Sequence, residues 1–182
     1  MRILGGKFKG KNLFGSQDLS VRPLTNRIKK SIFDVLQNCF QEKSVLDLFS
    51  GTGSFGLEAL SRGAVHLTVV EKSDNSLAVL RKNLHLLPLG GEKVYTIKSD
   101  VIKFCAQTVQ VYDLILMDPP FIFPEIQNLV DLIFKRKILK EKGVMVVHHE
   151  ITNPVADSSD DYMIRQQKKF GRSLVSYIMN RE

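Results

Sequence analysis

Short apolar runs alternate with amphipathic segments along most of the chain after residue 44. Five β-branched or leucine-rich runs predict strands, at residues 45–49, 66–71, 93–98, 112–117 and 144–149. Between them, apolar residues at three- and four-residue spacing predict helices, over residues 54–62, 74–87, 100–107 and 125–137. This alternation predicts an α/β fold, in which helices cover both faces of a parallel sheet.

The two ends of the chain depart from this alternation. Residues 162–169 and 173–180 are strand-like runs joined by a Phe-Gly-Arg turn, which predicts an antiparallel hairpin at one edge of the sheet. The N-terminal residues are basic and punctuated by glycine, which predicts a hairpin or an extended arm. Thr25 is the predicted N-cap of a helix that runs to about residue 40. We therefore expect a basic N-terminal arm over residues 1–24 and an α/β domain over residues 25–182.

The charge of the chain is concentrated at its N-terminus. The 182 residues include 26 Lys and Arg against 19 Asp and Glu, a net charge of +7. Residues 1–30 hold eight of the basic residues and one acidic residue, which leaves the rest of the chain neutral. A basic segment on a neutral body favours a polyanionic partner, and a solubilising arm is the alternative. Because the chain has no signal-peptide pattern and no apolar run long enough to cross a membrane, we expect a cytoplasmic protein.

A glycine-rich turn follows the first predicted strand. Gly51, Gly53 and Gly56 have the spacing of a dinucleotide-binding turn, at the point where a strand leads into a helix. Asp47 near the strand end would repel a pyrophosphate, whereas it suits a ligand with an amino group, such as the methionine part of S-adenosylmethionine. A tight turn with an incidental Asp is the structural alternative.

Two further acidic residues lie at or just after the ends of predicted strands. Glu71 lies 20 residues after Gly51, where a carboxylate accepts hydrogen bonds from the ribose of a nucleoside cofactor. Asp100 follows the third strand, and its carboxylate suits either an adenine amino group or the cap of the next helix. Glu71 supports a nucleoside cofactor without choosing among such cofactors.

The most specific motif is Asp118-Pro119-Pro120-Phe121, directly after the fourth predicted strand. The prolines remove two N–H donors and stiffen the turn, so that a carboxylate and nearby carbonyls form a rigid set of acceptors. An exocyclic amine has two N–H donors for such a set, and holding it aims the nitrogen at an electrophilic methyl group. Phe121 offers a flat face to an unstacked base. A buried Pro-Pro turn is the structural alternative.

His148-His149-Glu150 has the residue types of a metal site. Adjacent side chains of a strand point to opposite faces, so the two histidines do not share one ion. We therefore predict no metal site and interpret both as strand-end histidines.

With these motifs, the chain resembles the bacterial small-subunit ribosomal RNA (guanine-N2)-methyltransferases of the RsmD type. The resemblance includes the basic N-terminal segment, the turn after the first strand and the Asp-Pro-Pro-Phe turn. Its narrowest marks are the opening Arg-Ile-Leu-Gly-Gly-Lys and the helix Gly-Leu-Glu-Ala-Leu-Ser-Arg-Gly-Ala at residues 56–64. The chain departs from the family at Leu24 and Asn26, where a Thr and an Asp are usual.

The resemblance implies a Rossmann-like class I methyltransferase sheet of order 3-2-1-4-5-7-6, with S-adenosylmethionine as the methyl donor. It implies that Asp47, Gly51 and Gly53 line the methionine end of the cofactor, that Glu71 contacts its ribose and Asp100 its adenine, and that Phe49 is a further cofactor-binding residue. The implied catalytic set is Asp118, Pro119 and Phe121. The substrate-binding candidates are the basic residues Arg2, Lys7, Lys9, Lys11, Arg22 and Arg27.

The implied acceptor is the N2 amine of a guanine in small-subunit ribosomal RNA, free or in a partly assembled subunit, and we expect a monomeric enzyme. One alternative is an amino-methyltransferase acting on adenine N6 in DNA or RNA, or on a protein side chain. The Asp-Pro-Pro-Phe turn, called the acceptor turn below, does not distinguish the amine of guanine from these amines. A nicotinamide-dependent oxidoreductase and a non-catalytic rRNA-binding factor are further alternatives.

Overall fold

The computed structural model describes residues 1–15, 25–120 and 123–181. Helices and strands alternate until the C-terminal hairpin, in the order α1 Asn26–Val35, β1 Ser44–Leu48, α2 Ser54–Ser61, β2 His66–Glu71, α3 Asp74–His85, β3 Lys93–Lys98, α4 Val101–Gln107, β4 Tyr112–Met117, α5 Ile126–Lys135, β5 Leu139–Glu150, β6 Tyr162–Phe170 and β7 Ser173–Asn180.

The strands form one seven-stranded sheet with the order β3-β2-β1-β4-β5-β7-β6. The first five strands pair in parallel, whereas β7 is antiparallel to both β5 and β6. Neighbouring residues of β1 face different cores, since Val45 packs in one buried cluster and Leu46 in the other. The predicted doubly covered sheet, its strand order and its C-terminal hairpin are confirmed.

Two element boundaries differ from the prediction by more than two residues. The helix capped by Thr25 ends at Val35 rather than near residue 40. The apolar spacing continues past Val35 because Leu36 and Phe40 are also buried, although they lie in a turn and in the loop that follows it. Strand β5 begins at Leu139 rather than at residue 144, in a charged stretch whose polarity hid the strand.

The N-terminal residues fold back onto the sheet domain. Arg2 and Asn12 form an antiparallel bridge, which is the pairing of a hairpin-like turn. Ile3, Phe8 and Leu13 are buried within the core cluster that lies on one face of the sheet. The segment is therefore packed through its apolar side chains. The predicted division between an arm and a domain stays a prediction, because residues 16–24 lie outside the described residues.

Backbone contacts fix this segment to the end of α2. The Ser61 hydroxyl donates to the Gly5 carbonyl at 2.5 Å and accepts from the Phe8 N–H at 2.9 Å. The Lys7 N–H donates to the Ser61 carbonyl at 2.7 Å. Gly6 has a positive φ of 74° and lies so close that an added Cβ would stand 1.8 Å from the Ser61 oxygen. Only glycine fits here.

A buried carboxylate on α2 joins three parts of the chain. Glu58 accepts from the Leu4 N–H at 2.8 Å and pairs with Lys29 of α1 at 3.0 Å and with Arg62 at 3.0 Å. Burial lowers the pKa of Lys29, and the neighbouring Glu58 carboxylate raises it in partial compensation. Lys29 therefore does not contribute to a basic surface, although it belongs to the basic residues counted at the N-terminus.

Asn83 of α3 joins the N-terminal segment to the turn after β1. Its Oδ1 accepts from the Phe14 N–H at 2.8 Å, and its Nδ2 donates to the carbonyls of Phe14 at 3.0 Å and of Thr52 at 2.9 Å. The side chain is fully buried, so these three bonds satisfy most of its hydrogen-bonding capacity away from water.

We expect Gly6→Ala to destabilise the fold by about 2 kcal/mol more than Gly10→Ala. Both glycines have positive φ, but a Cβ added at Gly10 would meet only the Arg2 guanidinium, at 3.4 Å, and this flexible group can move. Urea unfolding of both variants measures the difference. Equal losses would mean that the contact with Ser61 does not hold the segment in place.

Candidate active site

Three acidic residues lie at the carboxyl edge of the central strands. Asp47 is near the end of β1, Glu71 ends β2 and Asp118 directly follows β4. Leu48 pairs with Met117 in the parallel register, so β1 and β4 end side by side. Ligands of open parallel sheets bind at this edge, where the strand order reverses between β1 and β4. The structure therefore brings the carboxylates predicted to bind the cofactor, Asp47 and Glu71, close to Asp118, which is predicted to hold the target amine.

The turn after β1 has an unusual backbone conformation. Phe49, Gly51 and Gly53 have positive φ values of 58°, 53° and 92°. Gly53 is also the N-cap of α2, where it supplies no side-chain cap, and an added Cβ there would lie 2.4 Å from a Leu80 methyl group. The Ser50 hydroxyl is buried and has no hydrogen-bond partner among the described residues. The turn thus offers a polar group and close backbone approach to a ligand.

Asp47 is the most buried acidic group of the site. Its Oδ2 accepts from the Gly56 N–H at 2.8 Å, in the first turn of α2. Burial, together with the negative charges of Asp118 and Glu71, raises the pKa of Asp47 to about 8, although the Gly56 N–H and Lys29 act in the opposite direction. A positively charged ligand group at this edge would stabilise the ionised form of Asp47.

Glu71 holds the turn against β2. Its Oε2 accepts from the Gly51 N–H at 2.9 Å, and its Oε1 accepts from the Ser73 N–H at 2.8 Å. Each carboxylate oxygen has a second lone pair, so these bonds leave acceptor capacity for a diol. The ribose contact of Glu71 stays a prediction.

Asp100 acts as a helix cap, which is one of the two roles that its position predicted. Its Oδ1 accepts from the N–H groups of Ile102 at 2.9 Å and Lys103 at 3.1 Å, at the start of α4. The contact with an adenine amino group stays a prediction.

The acceptor turn after β4 is braced by β5 and the segment behind it. Asp118 Oδ1 lies 2.7 Å from His148 Nδ1. Pro119 is buried, and the Pro120 carbonyl accepts from the Phe123 N–H at 2.8 Å. The Phe123 carbonyl accepts from the Asn153 amide at 2.7 Å. The turn is therefore fixed at both of its ends.

The sequence motifs do not reveal Phe123 and His148, two of the residues that hold this turn in place. The Phe123 ring packs edge-on against Phe49 with ring centroids 4.9 Å apart, which places an aromatic pair between the two turns. His148 is more than a strand-end histidine. The register of β4 and β5 is the signal that places it: Met117 pairs with Val147, so the residues that follow, Asp118 and His148, lie side by side. Phe121 lies outside the described residues.

The candidate substrate-binding residues occupy different settings. Lys9 and Lys11 are exposed, as is Arg27 on α1. Arg2 is exposed and its Nε donates to the Gly10 carbonyl at 3.3 Å, whereas Lys7 forms an ion pair with Glu92. Arg22 lies outside the described residues. Binding of a polyanion by these residues stays a prediction.

The described residues hold neither a membrane-spanning helix nor a metal cluster. No helix in residues 1–15, 25–120 and 123–181 is long and apolar enough to cross a membrane. Within the same ranges, no group of three or more His, Cys, Asp and Glu side chains is placed to hold a metal ion. The two adjacent histidines point to opposite sides, since His149 Nε2 contacts the Ser176 hydroxyl at 2.8 Å while His148 contacts Asp118.

Known proteins share both the sequence and the fold. Residues 1–179 match the model of a protein family described as Conserved hypothetical protein 95. Ribosomal RNA small subunit methyltransferase D of Buchnera aphidicola subsp. Baizongia pistaciae is 29% identical over 182 residues, covering 99% of this chain and 92% of that protein.

Two solved structures share the architecture. A putative methyltransferase, yhhF from Escherichia coli, has a TM-score of 0.88 and 28% identity, covering 100% of this chain and 98% of that chain. SMU.776, a putative methyltransferase complexed with SAH, has a TM-score of 0.68 and 19% identity, covering 82% of this chain and 48% of that chain. At this lower identity the likeness concerns the fold. The fold is the Rossmann-like fold of S-adenosylmethionine-dependent methyltransferases.

We expect the stability of the free protein to depend on pH through Asp47. Between the unperturbed value of 3.8 and about 8, the folded state keeps a proton on Asp47 that the unfolded state has lost. Folding is therefore weakened as pH rises, and the wild type should lose roughly 1 kcal/mol per pH unit relative to Asp47→Asn between about pH 5 and pH 7. Urea unfolding across this range measures the effect.

Asp113→Asn is the matched control for this comparison. Hydrogen bonds from Lys140 and Ser44 overcome the effect of partial burial and lower the pKa of Asp113 to about 2. The carboxylate is thus ionised in both states above about pH 5, and its removal should cost the same free energy at every pH tested. Parallel pH curves for Asp47→Asn and the wild type would contradict the protonation of Asp47.

Proposed function

The chain belongs to the family described as Conserved hypothetical protein 95, and from this premise we propose that it methylates the N2 amine of a guanine in small-subunit ribosomal RNA. A relative with 29% identity over nearly the whole chain is named ribosomal RNA small subunit methyltransferase D, which supports ribosomal RNA as the substrate class. The methyl donor is S-adenosylmethionine. The observation that carries the proposal is the meeting of Asp47 and Asp118 at one edge of the sheet, where β1 and β4 end side by side.

The described residues fit S-adenosylmethionine. Its amino acid part carries an ammonium group and its sulfur is positively charged, which suits an edge where burial and the nearby carboxylates raise the pKa of Asp47 in the free protein. The buried Ser50 hydroxyl, without a partner in the described part of the chain, gives this edge an additional polar group. We assign the methionine end to Asp47, Phe49, Gly51 and Gly53, the ribose to Glu71 and the adenine to Asp100.

When bound, S-adenosylmethionine supplies an electrophilic methyl group on a sulfonium. Asp118 accepts one N–H of the target amine and the Pro119 carbonyl accepts the other, which directs the nitrogen lone pair toward that methyl group. Methyl transfer would place positive charge on the amine nitrogen and leave the neutral thioether of the cofactor, and the charge would be lost when one N–H proton passes to water. The Asp118 carboxylate stabilises this charge through its hydrogen bond. Phe121 is assigned to stack on the base.

The adenine alternative has the same chemistry at the turn, because adenine N6 also carries two N–H donors. The name of the relative supports RNA rather than DNA, and the resemblance supports guanine N2. The nicotinamide alternative requires a pyrophosphate beside Asp47, Glu71 and Asp118, where three carboxylates disfavour it. We do not carry that alternative further.

We expect Asp118→Ala to lower kcat for methyl transfer to small-subunit rRNA at least about 100-fold, because the charge on the amine loses its stabilising acceptor. Transfer of labelled methyl groups to RNA measures the rate, and nucleoside analysis of the product should give N2-methylguanosine. Affinity for S-adenosylmethionine should not fall.

Asp131→Asn is the control, since Asp131 is exposed on α5, where it accepts from the Gln127 amide away from the carboxyl edge of β1 and β4. Full activity of Asp118→Ala would disprove the acceptor role. A product of N6-methyladenosine would disprove the guanine assignment and leave the acceptor role intact.

We expect Lys9→Gln/Lys11→Gln to weaken RNA binding and to reduce its dependence on salt, because fewer counterions are released when phosphate contacts are lost. Lys7 is left out of the variant, since its ion pair with Glu92 already neutralises part of its charge. Filter binding or fluorescence anisotropy at several salt concentrations measures both quantities.

Lys135→Gln/Lys142→Gln is the matched control, because it removes the same charge at the end of α5 and near the start of β5, and α5 packs in the other buried cluster from the N-terminal segment. If the two double variants bind RNA with the same affinity and salt dependence, the N-terminal segment does not bind phosphate.

A further inference from the structure

His148 is held beside the acceptor carboxylate by the register of the sheet. Met117 of β4 pairs with Val147 of β5, and the residues that follow them are Asp118 and His148. The His148 side chain is 5% exposed and the Asp118 side chain 30% exposed. A buried imidazole therefore stands behind a carboxylate that faces the site.

The atoms of this pair determine the direction of the hydrogen bond. His148 Nδ1 lies 2.7 Å from Asp118 Oδ1. An ionised carboxylate has acceptors only, so a nitrogen at this distance must be the donor. The imidazole Nδ1 therefore carries a proton.

The adjacent histidine provides a contrast. His149 Nδ1 donates to the carbonyls of Glu150 and Asn153 at 3.1 Å, and its Nε2 accepts from the Ser176 hydroxyl at 2.8 Å. Burial lowers the pKa of His149, which keeps the ring neutral in this role. His149 thus satisfies backbone and hydroxyl groups between β5 and β7, whereas the contact of His148 is with the acceptor itself.

We propose that His148 is a positioning residue for methyl transfer: its Nδ1–H fixes Asp118 through Oδ1, so that Oδ2 is presented to the amine of the target base. This inference rests on the proposed function. A carboxylate without that bond can rotate about its Cβ–Cγ bond, and an acceptor in the wrong orientation no longer directs the nitrogen lone pair. Because His148 acts through Asp118 and does not touch the base, it affects the rate of transfer rather than the binding of the cofactor.

Two substitutions separate the hydrogen bond from the volume of the ring. His148→Leu fills most of the space without a donor, whereas the Nδ2 of Asn in His148→Asn stands close to the position of Nδ1 and restores an N–H. We expect His148→Leu to lower kcat about tenfold to 100-fold, with KM for S-adenosylmethionine unchanged, and His148→Asn to recover most of the activity. In the Asp118→Ala background, His148→Leu should cause no further loss.

Equal impairment of the Leu and Asn variants would overturn the inference, as would wild-type activity of His148→Leu or an additional loss in the Asp118→Ala background. Thermal unfolding of each variant identifies any that has lost its fold, and the Asn variant then carries the comparison.

A spectroscopic measurement keeps this test separate from the proposed function. In ¹⁵N-histidine spectra of the free wild-type protein, Nδ1 of His148 should carry a proton, and Asp118→Ala should change its chemical shift. A bare Nδ1 with the proton on Nε2 would overturn the inference whether or not RNA is methylated. A protonated Nδ1 in a protein that methylates no ribosomal RNA would instead reject the proposed function.

Discussion

The hydrogen bond from the Gly56 N–H to the buried Asp47 carboxyl links the central sheet to α2 at the proposed cofactor site. It connects the end of β1 to the first turn of α2, so the intervening residues must turn sharply and adopt positive φ at Phe49, Gly51 and Gly53. It also requires glycine at position 56, where a Cβ would lie 3.0 Å from Asp47 Oδ2 and 2.9 Å from Leu67. The shape of the turn and the position of the carboxyl thus have a common origin.

The burial of Asp47 beside this contact also determines the electrostatics of the site. One backbone N–H offsets only part of the cost of burying Asp47, and Asp118 and Glu71 add to that cost. The free protein therefore contains a crowded set of acidic groups, whose mutual repulsion a cation relieves. Stability and ligand binding are opposed here, as is common where a functional site keeps charges that the fold alone does not favour.

Patterns that repeat along the chain were predictable, and contacts between distant parts were less so. β2, β3 and β4 have the predicted bounds because their apolar runs are sharply delimited by charge or turn residues. The start of β5 was hidden because Lys140 and its charged neighbours lie on exposed strand positions. Composition could not reveal that Lys29 is buried against Glu58, since that pairing depends on the packing of α1 against α2.

The site shows the same division. The motifs predicted which strand ends carry the acidic residues. Their closeness was predictable as well, because parallel strands end at a common edge. For Asp100 the sequence allowed either adenine binding or helix capping. The capping bonds at the start of α4 are local contacts, which is why the position along the chain was enough to suggest them. The bracing of Asp118 by His148 required the register of β4 and β5, which hydrophobic patterns do not specify.

The three hydrogen bonds of Asn83 give the N-terminal segment and the glycine turn a shared anchor. One planar amide holds the backbone of Phe14 on one side and the Thr52 carbonyl on the other, so neither can shift without rotating that amide or breaking a buried bond. Any ligand that moves one of the two segments therefore changes the energy of the other, and by thermodynamic reciprocity the effect is equal in both directions. A single buried side chain thus ties the position of the N-terminal segment to that of the glycine turn.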